Sequence, residues 1–374
     1  MRLHTIVSVR IQRTTTAHFV FAYIFSHSPG GEQYGGGFDG YVNSHPKYLY
    51  KYFPNSTNDG KNHSVEAIEN NTVFLQNPIK FDDPYDCNYC VNPSEFSYRF
   101  IKKLAMHCGL KVEASWDFAM ISYQLALRIF NHIMSGNSLD SIISTDSSNE
   151  LENLKDKLFI NFLKLELTQS ESNEKSYQNA INKTIDFEYK NSVRLIYDKI
   201  RISCFTQTPY SMLMWSHYAN NHKGFCIEYK WSDDYKKYSD IINNIFPVIY
   251  TDSRKNLVDF FISLDEGNHK KEDLWNIYKY GLLSKSLDWK YQKEWRLLTY
   301  ENAKKDYNYR FFDINKIYLG CKMEKEERSR VIGICNKLRI PWTCVVISDD
   351  QFEMKECVSK KCSFRDASTQ KVDK

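Results

Sequence analysis

An α+β fold is predicted by three features of the 374-residue chain. Short strand-like runs alternate irregularly with helices, the middle of the chain has helical apolar spacing, and no regular strand–helix repeat is present. The expected core is a small split sheet, mixed or antiparallel, with a large helical insertion at about 110–198. Residues 46–374 then form a single domain. Residues 1–45 read as a flexible leader: the apolar run Ala17 to Phe25 follows Arg2, Arg10 and Arg13, lacks a convincing cleavage site, and leads into the glycine-rich Ser28 to Gly40.

The elements follow in order. Tyr48 to Phe53 has strand composition and stops at Pro54. A short helix from Ser64 to Asn70 precedes a second strand, Thr72 to Leu75, which Asn77-Pro78 ends. Asp83 is placed to cap a helix beginning at Pro84. Helical spacing marks Ser94 to His107, Ser115 to Met134, Leu151 to Leu167 and Ser176 to Ile200, with a polar, mobile loop over 135–149. Strand Ile200 to Phe205 follows, then a helix opening at Thr208-Pro209, with Met212, Trp215 and Ala219 on one face. Gly224 to Tyr229 and Pro247 to Tyr250 read as strands, and Leu257 to Leu283 as helix. Strands at Glu294 to Tyr300, Ile317 to Leu319 and Trp342 to Ile347 flank a helix at Glu324 to Leu338.

Composition narrows the function classes. Lys and Arg total 50 against 46 acidic residues, a net charge of +4, so no nucleic-acid footprint is called for. The 10 cysteines are scattered, and the close pairs Cys87/Cys90 and Cys357/Cys362 fall short of a zinc pattern, so reduced thiols of a cytoplasmic protein are expected. No run approaches the roughly 20 apolar residues of a membrane span. P-loop, dinucleotide-fold glycine, H-E-x-x-H and G-x-S-x-G patterns are absent.

Four clusters carry possible chemistry. Tyr50-Lys51-Tyr52 offers stacking surface and a cation for a nucleotide, or an amphipathic strand with a solvated lysine. Asp82, Asp83 and Asp86 suit a metal or ribose hydroxyls, or a helix cap. Trp215, His217, Tyr218, His222 and Lys223 crowd one helix end; His217 is either a proton carrier or a structural hydrogen-bonding group. In Trp289 to Leu297, alternation puts Glu294 and Arg296 on one strand face, as a surface ion pair or as a carboxylate facing a cleft.

Together these stretches resemble an uncharacterised bacterial family, a domain of unknown function, over about residues 47–350. Its F-N-D-P-F-D, C-F-S, M-W-S-H-Y-A-x-x-H-x-G, W-x-x-E-x-E-W-R and I-x-L-G blocks correspond here to Phe81 to Asp86, Cys204 to Thr206, Met214 onward, Trp289 to Arg296 and Ile317 to Gly320. Asp82, Tyr85, Thr206 and Gln292 depart from the family residues. The layout is also similar to ADP-ribosyltransferases, whose late-strand glutamate often stands in Q-x-E, as Gln292-Lys293-Glu294 does.

That second resemblance implies an ADP-ribosyltransferase-like fold and glycosyl transfer from NAD as substrate, with no metal, to an unknown protein or nucleic-acid acceptor. Glu294 and His217 would be catalytic. Tyr50, Lys51, Tyr52, Asp83, Asp86, Trp215, Tyr218, Gln292 and Arg296 would bind substrate. Such an enzyme fits a toxin or phage-defence effector with a partner protein. Two alternatives stay open: a metal-dependent nuclease or hydrolase using Asp83, Asp86, His217 and Glu294, and a non-catalytic sensor or interaction module.

Overall fold

The computed structural model describes residues 45–57, 61–142, 161, 163–164, 166–167, 173–259, 277–300 and 305–357. The expected leader and most of the Leu151 to Leu167 helix lie outside them, as does most of the 135–149 loop beyond the short helical turn Leu139–Ile142. The chain divides into two compact units.

One unit contains residues 83–199 and 253–284 and is mainly helical. Its helices are α2 (Pro93–His107), α3 (Phe118–Met134) and α4 (Glu174–Lys199), numbered after a first helix, α1 (His63–Asn70), in the other unit. Asn92 caps α2 by accepting from the Glu95 amide at 3.0 Å, with Pro93 in the first turn. Asp117 caps α3 by accepting from the Met120 amide at 2.8 Å, so this helix begins three residues later than the apolar spacing alone predicts. Ile101, Leu125, Ile129, Leu163 and Ile181 build its core. The helix expected at Pro84 is a single turn: Asp83 accepts from the Tyr85 amide at 2.9 Å, and Cys87, at φ +54°, turns the chain out of helical geometry. The described ends of the 257–283 helix are helical, Ile277–Leu282 as a π-turn.

The other unit, within residues 29–82, 200–252 and 285–374, holds an eight-stranded mixed sheet. Its strands are β1 (Tyr48–Phe53), β3 (Ile200–Thr206), β4 (Phe225–Lys230), β5 (Ile245–Pro247), β8 (Glu294–Tyr300), β10 (Ile314–Leu319), β11 (Trp342–Ile347) and β12 (Met354–Glu356). They lie in the order β12-β11-β10-β4-β1-β3-β8-β5, antiparallel except for β10 and β11. Two-stranded pairs join β2 (Thr72–Leu75) to β9 (Tyr307–Arg310) and β6 (Ile249–Thr251) to β7 (Ser284–Ser286). The α+β class and the mixed sheet are as expected. The predicted Pro247 to Tyr250 strand is two strands, because Val248 donates to the Glu294 carbonyl at 2.9 Å and the chain then leaves the large sheet to pair as β6 with β7. The helix expected at Thr208 is α5 (Met212–Tyr218): Thr208 instead caps a local turn at the Tyr210 amide, and Ser211 accepts from the Met214 amide. Met212 is exposed, so only Trp215 and Ala219 of the expected face are core. Helix α6 (Tyr235–Ile242) was not foreseen; helix α7 (Lys325–Leu338) was.

Strand alternation gives the large sheet two unlike faces. Leu49, Phe53, Phe205, Phe225, Ile227, Trp295, Leu297 and Ile317 fill a largely apolar side. On the other, register aligns one row across five strands: Lys316, Glu228, Tyr50, Thr206 and Glu294. Tyr52, Cys226 and Tyr318 occupy the next row on that side and pack with Trp215 of α5.

Candidate functional site

The Q-K-E triplet owes its geometry to a turn. Residues Leu287–Gln292 form a 3-10 helix capped by Ser286, and Lys293, at φ +45°, ends it in left-handed conformation. Gln292 is thus the last residue of the turn and Glu294 the first of β8, and both side chains reach Lys285. The Lys285 ammonium donates to Gln292 Oε1 and to Glu294 Oε2, each at 2.8 Å. Arg296 Nε donates to Glu294 Oε1 at 2.7 Å, and the guanidinium lies 5.7 Å from the centre of the Phe81 ring. Glu294 is 4% exposed and Arg296 fully buried, so this is an interior ionic triad and not the surface pair that the spacing also allows. Burial alone pushes the Glu294 carboxyl up, but Arg296 and Lys285 outweigh it and hold the group down at about 2. The Glu294 amide donates to the Tyr250 hydroxyl at 2.8 Å, and burial pushes that hydroxyl up to about 12.

This centre meets the helix end at the other long motif. Gln292 Nε2 donates to the Tyr218 hydroxyl at 2.8 Å, while the exposed His217 ring lies edge-on to Trp289 with centroids 6.5 Å apart. Lys285 in turn sits 5.3 Å from the Trp289 ring centre. Tyr218 and His217 therefore form an outer rim of Glu294's surroundings, with Lys285 and Gln292 beneath.

Other expected site residues fall elsewhere. Trp215 is wholly buried, its indole N–H donates to the Pro209 carbonyl at 2.7 Å, and its ring meets Tyr52 edge-on; it packs the core. Alternation splits the Tyr50-Lys51-Tyr52 cluster. Tyr50 and Tyr52 share the face of Glu294, while Lys51 points to the apolar side over the Phe205 ring and donates to the Cys204 carbonyl at 2.9 Å. Burial pushes the Lys51 ammonium down; the residue is half-buried and its ammonium is tied to a backbone carbonyl, so it is not a fully solvated lysine. The Tyr52 hydroxyl donates to the Thr208 carbonyl at 3.0 Å. Asp83 and Asp86 belong to the helical unit, Asp83 as a turn cap and Asp86 buried in that turn. Among the described residues, no three His, Cys, Asp or Glu side chains gather to hold a metal ion.

Sequence reading passed over Lys285, Tyr250 and Glu228. Lys285 and Tyr250 lie in segments without a motif; the β5–β8 pairing brings Tyr250 to β8, and the β6–β7 pairing sets Lys285 beside it. Glu228 did leave a signal, a lone charge inside the apolar strand Phe225-Cys226-Ile227-Glu228-Tyr229.

Several motif residues are architectural. Asn220, Asn221 and His222 are consecutive left-handed residues, at φ +48°, +51° and +71°, and they reverse the chain after α5. A Cβ on Gly224 would stand 2.0 Å from the Phe53 carbonyl oxygen, and one on Gly320 2.1 Å from that of His222. The H-x-G and L-G pairs are thus explained by close backbone approach.

No curated protein and no solved structure matches the chain. Residues 214–297 match the model of DUF2971, a family described as a protein of unknown function, and the matched segment bears both Tyr218 and the Gln292–Arg296 centre.

Proposed function

We propose that the Gln292–Glu294 centre handles NAD in the manner of an ADP-ribosyltransferase. One observation carries the reading: a Q-x-E pair converges on one buried cation, and its glutamate is held ionised. Breaking the nicotinamide–ribose bond builds positive charge on the sugar, and an ionised carboxylate in a low-dielectric site stabilises that charge. A carboxyl held at about 2 is no proton donor near neutral pH, which gives Glu294 this electrostatic part. Both its oxygens are occupied by Lys285 and Arg296, so binding exchanges the Lys285 contact for a ribose hydroxyl and frees Lys285 for the pyrophosphate. Gln292 and Tyr218 orient the ribose or the amide, and His217 and Trp289 offer rings for stacking. The acceptor is a protein or nucleic-acid group, as in a toxin or defence effector.

The test is nicotinamide release from labelled NAD by the full chain. Glu294→Gln strands two buried cations and destabilises the fold, so the double variant Glu294→Gln/Lys285→Met is made beside it. We expect both to lose release by at least about 100-fold, with the double variant recovering part of the lost stability. Unchanged release removes Glu294 from the mechanism.

One observation favours a second reading, a non-catalytic interaction module: the triad is closed on itself, with every Glu294 oxygen paired. Under that reading the wild-type chain releases no nicotinamide, and the substitutions act on stability alone.

A further inference from the structure

Strand β12 has three residues and lies at the edge of the large sheet, beside β11. An edge strand this short is held by few hydrogen bonds and opens at low cost. Its register with β11 pairs Val345 with Glu356, Val346 with Lys355 and Ile347 with Met354, so the next pair is Cys344 opposite Cys357. A hydrogen bond carries the ladder that one step further: the Cys357 amide donates to the Cys344 carbonyl at 2.8 Å. At the hairpin end the Ser348 amide donates to the Glu353 carbonyl at 3.0 Å, in the same alternation of hydrogen-bonded pairs.

Directly opposed residues of an antiparallel pair point to one face. Here it is the apolar face. Cys344 is 1% exposed in the core cluster that holds Phe225 and Ile317, and the half-buried Cys357 packs against that cluster. Both side chains are thiols. Hydrogen-bonded opposite residues have Cα atoms about 5.5 Å apart, inside the roughly 4.4–6.8 Å that a disulfide spans. Their Cβ atoms lie about 4.5–5.5 Å apart, against about 3.5–4.5 Å in a disulfide, so bonding asks for a closure of about 1 Å. A three-residue edge strand can move that far. The third thiol of the cluster, Cys335 on α7, is fully buried, and burial pushes it up to about 11, which disfavours reaction there.

We propose that Cys344 and Cys357 are a reversible disulfide site, formed by exchange with a low-molecular-weight disulfide and clasping β12 to the sheet. The Cys357 thiolate, the one partly open to solvent, attacks one sulfur of the small disulfide. A mixed disulfide forms and the other half leaves as a thiolate. The Cys344 thiolate then attacks the Cys357 sulfur, and the bond to the small thiol breaks. Two protein thiols are oxidised, one small disulfide is reduced to two thiols, and the two cysteine protons pass to them. The bridge fixes the strand that carries Glu356, the carboxylate that holds Lys316 at 2.5 Å. The clasp stands independently of the Glu294 reading.

The test treats the reduced, folded full chain with glutathione disulfide and maps the products by peptide mass spectrometry. We expect a Cys344–Cys357 bridge with no glutathione retained, reversed by dithiothreitol. Cys344→Ala should stop at the mixed disulfide, with glutathione held on Cys357. Cys357→Ser should form neither product. In the bridged wild type, hydrogen exchange at the Cys357 and Ser348 amides should slow about tenfold or more, because the bridge suppresses local opening. A bridge to Cys335 or Cys362 instead, glutathione retained on the wild type without a bridge, no reaction of the folded chain, or amide exchange unchanged by the bridge overturns the proposal.

Discussion

Glu294 and Glu228 are two buried carboxylates, each 4% exposed, in the same row and on the same face of one sheet. Three strand spacings separate them, about 14 Å along the row. Glu294 is matched by two cations. Glu228 has no ion pair among the described residues; Tyr318 donates to its Oε2 at 2.7 Å and Asn315 Nδ2 to its Oε1. Lys316, its register partner, turns instead to Glu356. The cost of Glu228's charge is passed to its neighbours: burial and then Glu228 push the Tyr50 hydroxyl up, and burial and the Tyr318–Glu228 hydrogen bond do the same for Tyr318. One carboxylate is neutralised as a unit, and the other is solvated by neutral donors.

Breaking that contrast should have its largest effect at Arg296. Arg296→Met leaves Glu294 buried with a single cation and should cost about 3–5 kcal/mol in urea denaturation. Glu228→Gln, whose partners are neutral and can rotate, should cost about 1 kcal/mol. Equal losses would remove the distinction. Next in size is pH. Glu294's carboxyl falls from 4.5 to about 2 on folding, so its stabilisation is complete above pH 4.5 and is lost as pH falls toward 2. The difference in denaturation midpoint between the wild type and Glu294→Gln should therefore close between pH 5 and about 2. A gap that stays constant over this range would contradict the paired, ionised state. Smaller is Tyr318→Phe, which leaves a Glu228 oxygen short of a donor and should cost about 1–3 kcal/mol. Smallest is Tyr218→Phe on the half-open rim, at about 1 kcal/mol or less, with its effect falling on KM for NAD.

Alternation alone made part of this legible. Glu294 and Arg296 were expected on one face, and β8 has the bounds Glu294–Tyr300 that the sequence suggests. The same rule, applied to Tyr50-Lys51-Tyr52, puts the lysine on the face opposite the tyrosines, as the amphipathic-strand reading has it; what alternation does not tell is that the ammonium is tied to the Cys204 carbonyl there. Lys285 was not legible, because its place beside β8 depends on β6 and β7, short strands far apart in sequence. The prominent W-S-H-Y-A block divides by residue: Trp215 packs the core, Tyr218 joins the Gln292 network, and the left-handed Asn220 to His222 turn serves the backbone. The Asp83 turn shows a cap signal outvoted by a left-handed Cys87 four residues later.

The most direct measurement is nicotinamide release from NAD by the wild type and by Glu294→Gln/Lys285→Met, with folding of both followed by circular dichroism. Release by the wild type, and its loss in a double variant that stays folded, is the predicted result. Equal release by the two chains, or none by the folded wild type, would contradict a catalytic Glu294.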